Sequence, residues 1–227
     1  MDAGSFHLTR PAQRTTSVVF ASPHSGREVP QAFLHRAEID ERAIRSSEDA
    51  FVDRLFDCAP LHGAPLLAAR ASRAFVDLNR AADELDPALI EGVRRPVHNP
   101  RVASGLGVIP RVVAGGRAIH RGRIGLAEAE ARIEGIWRPY HEALQGLLLE
   151  SHARFGEAIL IDCHSMPHEA IEAVGPMGGP RPDVVLGDRF GAATAPAVID
   201  RIEAAFMRAG LRVARNMPFA GAYIVQH

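Results

Sequence analysis

The chain has 227 residues and a formal net charge of −1, so it can bury a substantial core and has no basic excess for binding nucleic acid. Its Lys-plus-Arg total consists of arginine alone, which excludes a Walker lysine and a Schiff-base mechanism. Cys58 and Cys163 make no disulfide framework, and no stretch has the length of a membrane span or the apolar core of a signal peptide. We therefore expect a cytoplasmic protein whose partner is a small molecule rather than nucleic acid or a membrane. The residues indicate no oligomeric state.

Apolar periodicity predicts alternating strands and helices along the chain. After a terminal segment with one short strand (1–15), strands are predicted at 17–21, 66–69, 73–78, 158–161, 183–187, 211–214 and 222–225. Helices are predicted at 31–44, 47–59, 126–155 and 196–209, with Ser46 or Ser47 as N-cap of the second and a kink or break at Pro139 in the third. Residues 81–125 and 175–182 are predicted to be irregular, apart from a hairpin near 108–119 that turns at Gly115-Gly116. This order predicts an α/β fold with a mostly parallel sheet flanked by helices on both faces.

Two histidines follow predicted strands. His24 lies in the loop after 17–21, and His164 comes directly after 158–161, two residues beyond Asp162. Because the carboxyl ends of parallel strands meet at one sheet edge, we expect the two imidazoles to lie close together. Asp162 is close enough to orient the His164 ring or fix its tautomer, although a lone Asp-x-His also occurs as a hydrogen-bonded strand end.

Two imidazoles and one carboxylate are a ligand set of catalytic zinc sites. The candidate carboxylates are Glu28, four residues after His24, and Glu48 or Asp49 at the start of a predicted helix. An acidic first turn also stabilises a helix dipole, so the residues alone leave the third ligand open.

Basic residues follow the predicted strand 73–78. Arg80, beside the amide of Asn79, suits a substrate carboxylate through a bidentate pair, although an arginine here could equally pair with a nearby surface acid. Arg111, Arg121 and Arg123 lie in the irregular insert and could meet a second anionic group.

Six motifs in register resemble the N-formylglutamate amidohydrolase family over nearly the whole chain. They are Ser22-Pro-His-Ser-Gly-Arg-Glu-Val-Pro30, Glu48-Asp-Ala-Phe-Val-Asp53, Ser72-Arg-Ala-Phe-Val-Asp-Leu-Asn-Arg80, Asp162-Cys-His-Ser-Met-Pro167, Leu186-Gly-Asp-Arg-Phe-Gly191 and Asn216-Met-Pro-Phe-Ala-Gly221. The family is related to the zinc carboxypeptidases and aspartoacylases, and the resemblance implies their mixed sheet between helices.

The resemblance also implies site residues and a reaction. Zinc, or another divalent metal, would be bound by His24, His164 and a third ligand for which Asp49 matches the family better than Glu28. Asn79 and Arg80 would bind a carboxylate of the substrate, and Asp162 would act in catalysis by supporting a metal ligand. From the arginines of the irregular insert we add Arg123 as a further substrate-binding candidate. The implied reaction is hydrolysis of N-formyl-L-glutamate to formate and L-glutamate, a late step of histidine degradation.

The sequence departs from the family pattern at its C-terminal end. Family members continue beyond the position of His227 with a Glu-Ile-Asn-Arg segment, whose glutamate resembles the general acid/base of the carboxypeptidases. We therefore expect a single, C-terminally truncated amidohydrolase domain over residues 1–227, with Glu169 or Glu172 as candidate substitutes for the glutamate. The alternatives are a non-catalytic or weakly active carboxylate-binding homologue and a metal-free domain in which both histidines are structural.

Overall fold

The computed structural model describes residues 4–93, 99–172 and 181–227. The chain forms two compact units, residues 1–165 and residues 166–227. Most of the predicted irregular segment 175–182 lies outside the described residues, and the prediction of a single amidohydrolase domain stays a prediction. No helix among the described residues combines the length and the apolar character that a membrane span requires.

A four-stranded mixed sheet organises the first unit. Its strands are β1 (Phe6–Thr9), β2 (Val18–Ser22), β3 (Leu66–Ala69) and β6 (Ile159–Asp162), arranged in the order β1-β3-β2-β6. β2 pairs in parallel with both β3 and β6, whereas β1 is antiparallel to β3. The predicted α/β fold with a mixed, mostly parallel sheet is therefore confirmed.

Two smaller parallel pairs complete the strand content of the described residues. β4 (Ile90–Glu91) pairs with β5 (Ile124–Gly125) in the first unit, and β7 (Val184–Leu186) pairs with β8 (Val213–Arg215) in the second. The predicted hairpin near 108–119 is reduced to an isolated antiparallel bridge between Val112 and Ala118 around a 3₁₀ turn at Ala114–Gly116.

The helices are mostly short. They are α1 (Gln31–Arg36), α2 (Glu41–Ile44), α3 (Val52–Leu55), α4 (Pro100–Ala103), α5 (Leu126–Arg132), α6 (Arg138–Phe155) and α7 (Pro196–Arg208), with further 3₁₀ turns at Arg45–Ser47, Ala59–His62 and His168–Ile171. A π-helical turn at Ile133–Trp137 joins α5 to α6. The predicted break near Pro139 is thus a widened turn, which accommodates a residue without an N–H group.

Small and aliphatic side chains fill the core around the sheet. Val19, Ala21 and Leu67 are fully buried on the central strands. A second cluster joins α1 and α2 to the irregular insert through Phe33, Ile44, Ala74, Val113 and Ile119. The insert is therefore part of the packed core of the first unit.

The structure corrects several local predictions. The helix predicted at 31–44 is interrupted after Arg36 and resumes at Glu41, where Asp40 is the N-cap. Residues 73–78 form a turn, not a strand, because Phe75 N and Val76 N both donate to Ser72 O. The alternating apolar residues of that segment are buried, but they do not pair in a sheet. The alternation therefore indicated burial and not a strand. Residues 222–225 form a turn instead of a strand, and the helix predicted at 47–59 is limited to Val52–Leu55, whose N-cap is Phe51 and neither serine.

Candidate metal centre

Adjacent parallel strands bring the two predicted histidines together. Ala21 of β2 is in register with Asp162 of β6, and Cys163 N donates to Ala21 O over 2.7 Å, so both strands end at one edge of the sheet. The ring centroids of His24 and His164 are 4.9 Å apart. His24 is 3% exposed, whereas the side chain of His164 is 31% exposed, which leaves one side of the pair open.

Asp49 supplies a carboxylate between the two rings. Its backbone N–H donates to His24 O over 2.9 Å, which fixes the loop before α3 against the loop after β2. Its Oδ2 lies 2.8 Å from His164 Nδ1 and 3.6 Å from His24 Nδ1. The potential ligand atoms of His24, Asp49 and His164 all lie within 4.8 Å of one another, and we refer to these residues as the candidate metal centre.

A second carboxylate lies behind each histidine. His24 Nε2 is 2.7 Å from Asp77 Oδ1, and His164 Nε2 is 2.9 Å from Asp162 Oδ2. A carboxylate accepts a hydrogen bond, so each Nε2 carries a proton, and the Nδ1 atom of each ring is turned toward Asp49. This carboxylate–histidine arrangement is typical of metal-binding imidazoles.

The charges of this cluster favour a cation at its centre. Burial opposes ionisation of Asp49, but its hydrogen bond with His164 and the proximity of His24 outweigh burial and hold the pKa of the carboxyl well below its usual range. Burial likewise lowers the pKa of His164, yet the charge of Asp162 and the bonds to Asp162 and Asp49 raise it to about 10. A proton on His164 Nδ1 therefore occupies the position that a metal ion would take.

The residues present fit a divalent metal ion. Buried His24 Nδ1 has no hydrogen-bond partner among the described residues, although its lone pair is directed toward Asp49. Two imidazole nitrogens and one carboxylate oxygen, with one side exposed, are the donors of an open zinc site.

Comparison with known proteins identifies the family of this chain. Residues 16–227 match the N-formylglutamate amidohydrolase family. The chain belongs to this family. N-formylglutamate deformylases of Pseudomonas aeruginosa and Pseudomonas putida are 30% identical over 213 residues (92% of this chain, 74% of the relative) and 27% identical over 230 residues (98% and 76%).

Solved structures show the same architecture. The crystal structure of N-formylglutamate amidohydrolase from Ralstonia eutropha JMP134 matches this chain with a TM-score of 0.91 and 34% identity, covering 98% of this chain and 80% of that one. The gene product Atu2144 from Agrobacterium tumefaciens, at 18% identity and a TM-score of 0.61, covers 96% of this chain and 75% of its own, and shares the fold.

Asn79 of this amidohydrolase family member lies beside the candidate metal centre, and Arg80 is the next residue along the chain. Asn79 Nδ2 donates to Asp162 Oδ2 over 3.2 Å and lies 3.1 Å from His164 Nε2. Arg80 is buried and donates through Nε to Leu106 O and through Nη1 to Asn79 O. Asn79 thus bonds to Asp77 and Asp162, and its carbonyl oxygen accepts a hydrogen bond from Arg80, whose guanidinium was predicted to bind substrate.

Other predicted site residues have different surroundings. The Glu28 carboxylate pairs with Arg70, and it is Asp49 that approaches the histidines. Arg123 donates through Nη2 to Pro87 O and Ile90 O, and no described contact joins it to the candidate metal centre, so its substrate role stays a prediction.

The remaining charged candidates pair elsewhere. The Glu48 carboxylate accepts a hydrogen bond from Arg45, and Glu172 pairs with Arg181. Arg111 pairs with Asp86, and Arg121 lies 3.5 Å from Glu38.

Asp77, the partner of His24, has no separate role among the predictions from sequence. Its Oδ2 accepts a hydrogen bond from Arg73 over 2.7 Å, and its Oδ1 also accepts one from Asn79 N. Burial would raise its pKa, but the charge of Arg73 and the contact with His24 lower the pKa well below the usual range. The sequence does contain a feature that could have indicated this role. Asp77 lies two residues before Asn79, and Asp162 lies two residues before His164.

Proposed function

We propose that this chain hydrolyses the formamide bond of N-formyl-L-glutamate, releasing formate and L-glutamate, with zinc bound by His24, Asp49 and His164. The observation that carries the proposal is the pair of carboxylate-backed imidazoles whose Nδ1 atoms converge on one Asp49 oxygen. The names of the relatives support the substrate, and the donor set supports the metal.

When bound, a zinc ion lowers the pKa of a water molecule toward about 7 and polarises a carbonyl. Neighbouring residues of the chain orient the three side chains that would bind the metal. Asp77 and Asp162 accept hydrogen bonds from Nε2 of His24 and His164, and so orient both rings with Nδ1 toward Asp49, where a metal would be held. The backbone bond from Asp49 to His24 O keeps the carboxylate in place.

Arg80 is the best-placed group for a substrate carboxylate. Its described hydrogen bonds use Nε and Nη1, and both go to backbone carbonyls that fix the plane of the guanidinium. Burial lowers the pKa of Arg80, but an arginine stays charged at neutral pH. A fixed, partly desolvated guanidinium binds a carboxylate more strongly than a mobile surface arginine does.

One observation favours a second candidate function, a weakly active or non-catalytic carboxylate-binding homologue. In the described part of the chain, the carboxylates of Asp49, Asp77 and Asp162 each contact an imidazole. None of these three carboxylates is therefore left as a separate proton donor. A proton must still reach the departing nitrogen of glutamate, and a positioned acid contributes about 10²–10⁴-fold to such steps. Zinc binding without turnover would support this reading.

Metal analysis combined with a formate-release assay tests both readings. We expect the purified protein to bind zinc, and His24→Ala and His164→Ala to lose both zinc and formate release, because each removes a ligand. His152→Ala, an exposed histidine on α6, is the matched control and should change neither. Undiminished zinc in the two ligand variants would overturn the assignment.

The substrate clamp is tested separately. Arg80→Lys keeps the charge but loses the planar fork, so KM for N-formyl-L-glutamate should rise by about tenfold or more. Hydrolysis of a formamide without carboxylates should be unaffected. An equal effect on both substrates would contradict the clamp.

A further inference from the structure

The first unit contains a cavity that shares no residue with the candidate metal centre. It has a volume of about 70 Å³ and lies where α1, residues 120–124 and α5 meet. Its charged and titratable lining residues are Arg36, His120, Arg121, Arg123, Glu128 and Arg132, and we call this cavity the arginine pocket.

The charges around the arginine pocket are unbalanced. Four arginines line it, and Glu128 is the acidic residue among its described lining. Glu128 is shared, because Arg36 donates to both of its oxygens over 2.9 and 3.1 Å while Arg132 bonds to the same carboxylate. One carboxylate therefore neutralises two guanidinium groups only in part.

Arg132 is a preorganised and incompletely bonded cation. Its side chain is 4% exposed, and its guanidinium carbon lies 4.3 Å from the centroid of the Phe75 ring and 5.2 Å from that of Phe33. Its Nε has no hydrogen-bond partner among the described residues. Burial and the nearby charge of Arg36 both lower the pKa of Arg132, so a negative charge here would relieve an unfavourable environment.

The other basic groups of the arginine pocket differ in how firmly they are held. Arg123 is fixed through Nη2 by the carbonyls of Pro87 and Ile90. Arg121 is 67% exposed at the mouth and lies 3.5 Å from Glu38. His120 is neutral at pH 7, because burial and the charge of Arg132 lower its pKa to about 4. The net charge of the lining at neutral pH is therefore positive.

We propose that the arginine pocket binds a small oxyanion, a carboxylate or a phosphate. Guanidinium forks match both groups, which accept two parallel hydrogen bonds from one arginine. The volume of about 70 Å³ exceeds the roughly 10–15 Å³ that a cavity needs to hold one water molecule, and leaves space for a compact anion rather than a nucleotide. The proposal does not depend on the metal or on amidohydrolase activity.

Calorimetric titration with inorganic phosphate, and in parallel with succinate, tests the proposal at constant ionic strength. We expect saturable binding in the millimolar range or tighter. Arg121→Gln should weaken it by roughly two- to fivefold, as expected for an exposed charge, and Arg121→Gln/Arg123→Gln should weaken it further. The tighter of the two anions identifies the preferred chemistry.

Arg117→Gln, an exposed arginine outside the lining, is the matched control and should bind as the unmodified chain does. Any anion binding at the candidate metal centre is the same in the unmodified chain and in the arginine variants. Differences in anion affinity between these proteins therefore report on the arginine pocket alone. Absence of saturable binding of both anions would overturn the proposal. Equal affinities in the Arg121→Gln variant and the unmodified chain would overturn it as well.

Discussion

Asp77→Asn tests the electrostatic reasoning most directly. The carboxylate is buried and makes three contacts: Oδ1 accepts from His24 Nε2 over 2.7 Å and from Asn79 N over 2.9 Å, and Oδ2 accepts from Arg73 over 2.7 Å. A carboxamide has one acceptor oxygen. If its NH₂ faces Arg73, two donors oppose each other; if it faces His24, the ring changes tautomer and protonates Nδ1.

Both orientations have measurable consequences. Losing the carboxylate behind a metal-binding histidine weakens metal affinity by about 10–100-fold, which corresponds to about 1.4–2.7 kcal/mol. Breaking a buried ion pair costs about 3–5 kcal/mol of unfolding free energy. Because the Arg73 side chain is 23% exposed, we expect about 2–3 kcal/mol here.

Chelator competition measures the zinc affinity, and urea unfolding of the metal-free protein measures the stability. The matched control is Asp53→Asn, which removes a half-exposed pair with Arg27 and should cost less than about 1 kcal/mol without changing zinc affinity. A folded Asp77→Asn protein that binds zinc as tightly as the unmodified chain would refute the role assigned to Asp77.

Three further predictions concern stability. Phe51 has a left-handed backbone with φ 66°, so Phe51→Gly should be more stable to urea than Phe51→Ala by about 1 kcal/mol; the reverse order would contradict backbone strain. A Cβ on Gly26 would lie 2.2 Å from Ala71 O, so Gly26→Ala should lower the melting temperature and the zinc affinity. Gly146 lies in open space on α6, so Gly146→Ala should raise the melting temperature. Equal changes of melting temperature in the two variants would refute the close approach at Gly26. Burial lowers the pKa of His141 from 6.5 to about 4, so the unfolded chain binds more protons in that window and stability falls as pH drops from about 6.5 toward 4. In His141→Gln, the free energy of unfolding should fall by about 1–2 kcal/mol less over this pH range than in the unmodified chain, a value reduced for solvent screening. Urea unfolding measures both pH profiles, and identical profiles would exclude the contribution of His141.

The sequence predicted the strands that position the histidines because their apolar runs are short, β-branched and followed directly by loops. β2 and β6 were expected at 17–21 and 158–161, and the structure has Val18–Ser22 and Ile159–Asp162. Their pairing was an inference from the α/β pattern, and the parallel register of β2 and β6 confirms it. The structure also brings Asp49, the ligand preferred from the family resemblance, to both imidazoles.

Long-range contacts were beyond the sequence pattern. The segment around Val76 and Leu78 alternates like a strand, but its side chains are buried in a turn, and its backbone bonds to a distant residue where Asp77 N donates to Val108 O. The arginine pocket likewise depends on contacts between Arg36, on α1, and Glu128, ninety-two positions later. Local periodicity contains no information on which distant acid an arginine meets.

The pairing of β2 with β6 has a consequence for biosynthesis. A ribosome adds about 5–20 residues per second, so the stretch between His24 and His164 takes roughly 7–28 seconds to emerge. During that interval β2 can pair with β3, but its other edge is an open template for aggregation. Assembly of the candidate metal centre must therefore wait until β6 has been translated, and a chaperone that shields this edge should increase the yield of folded protein.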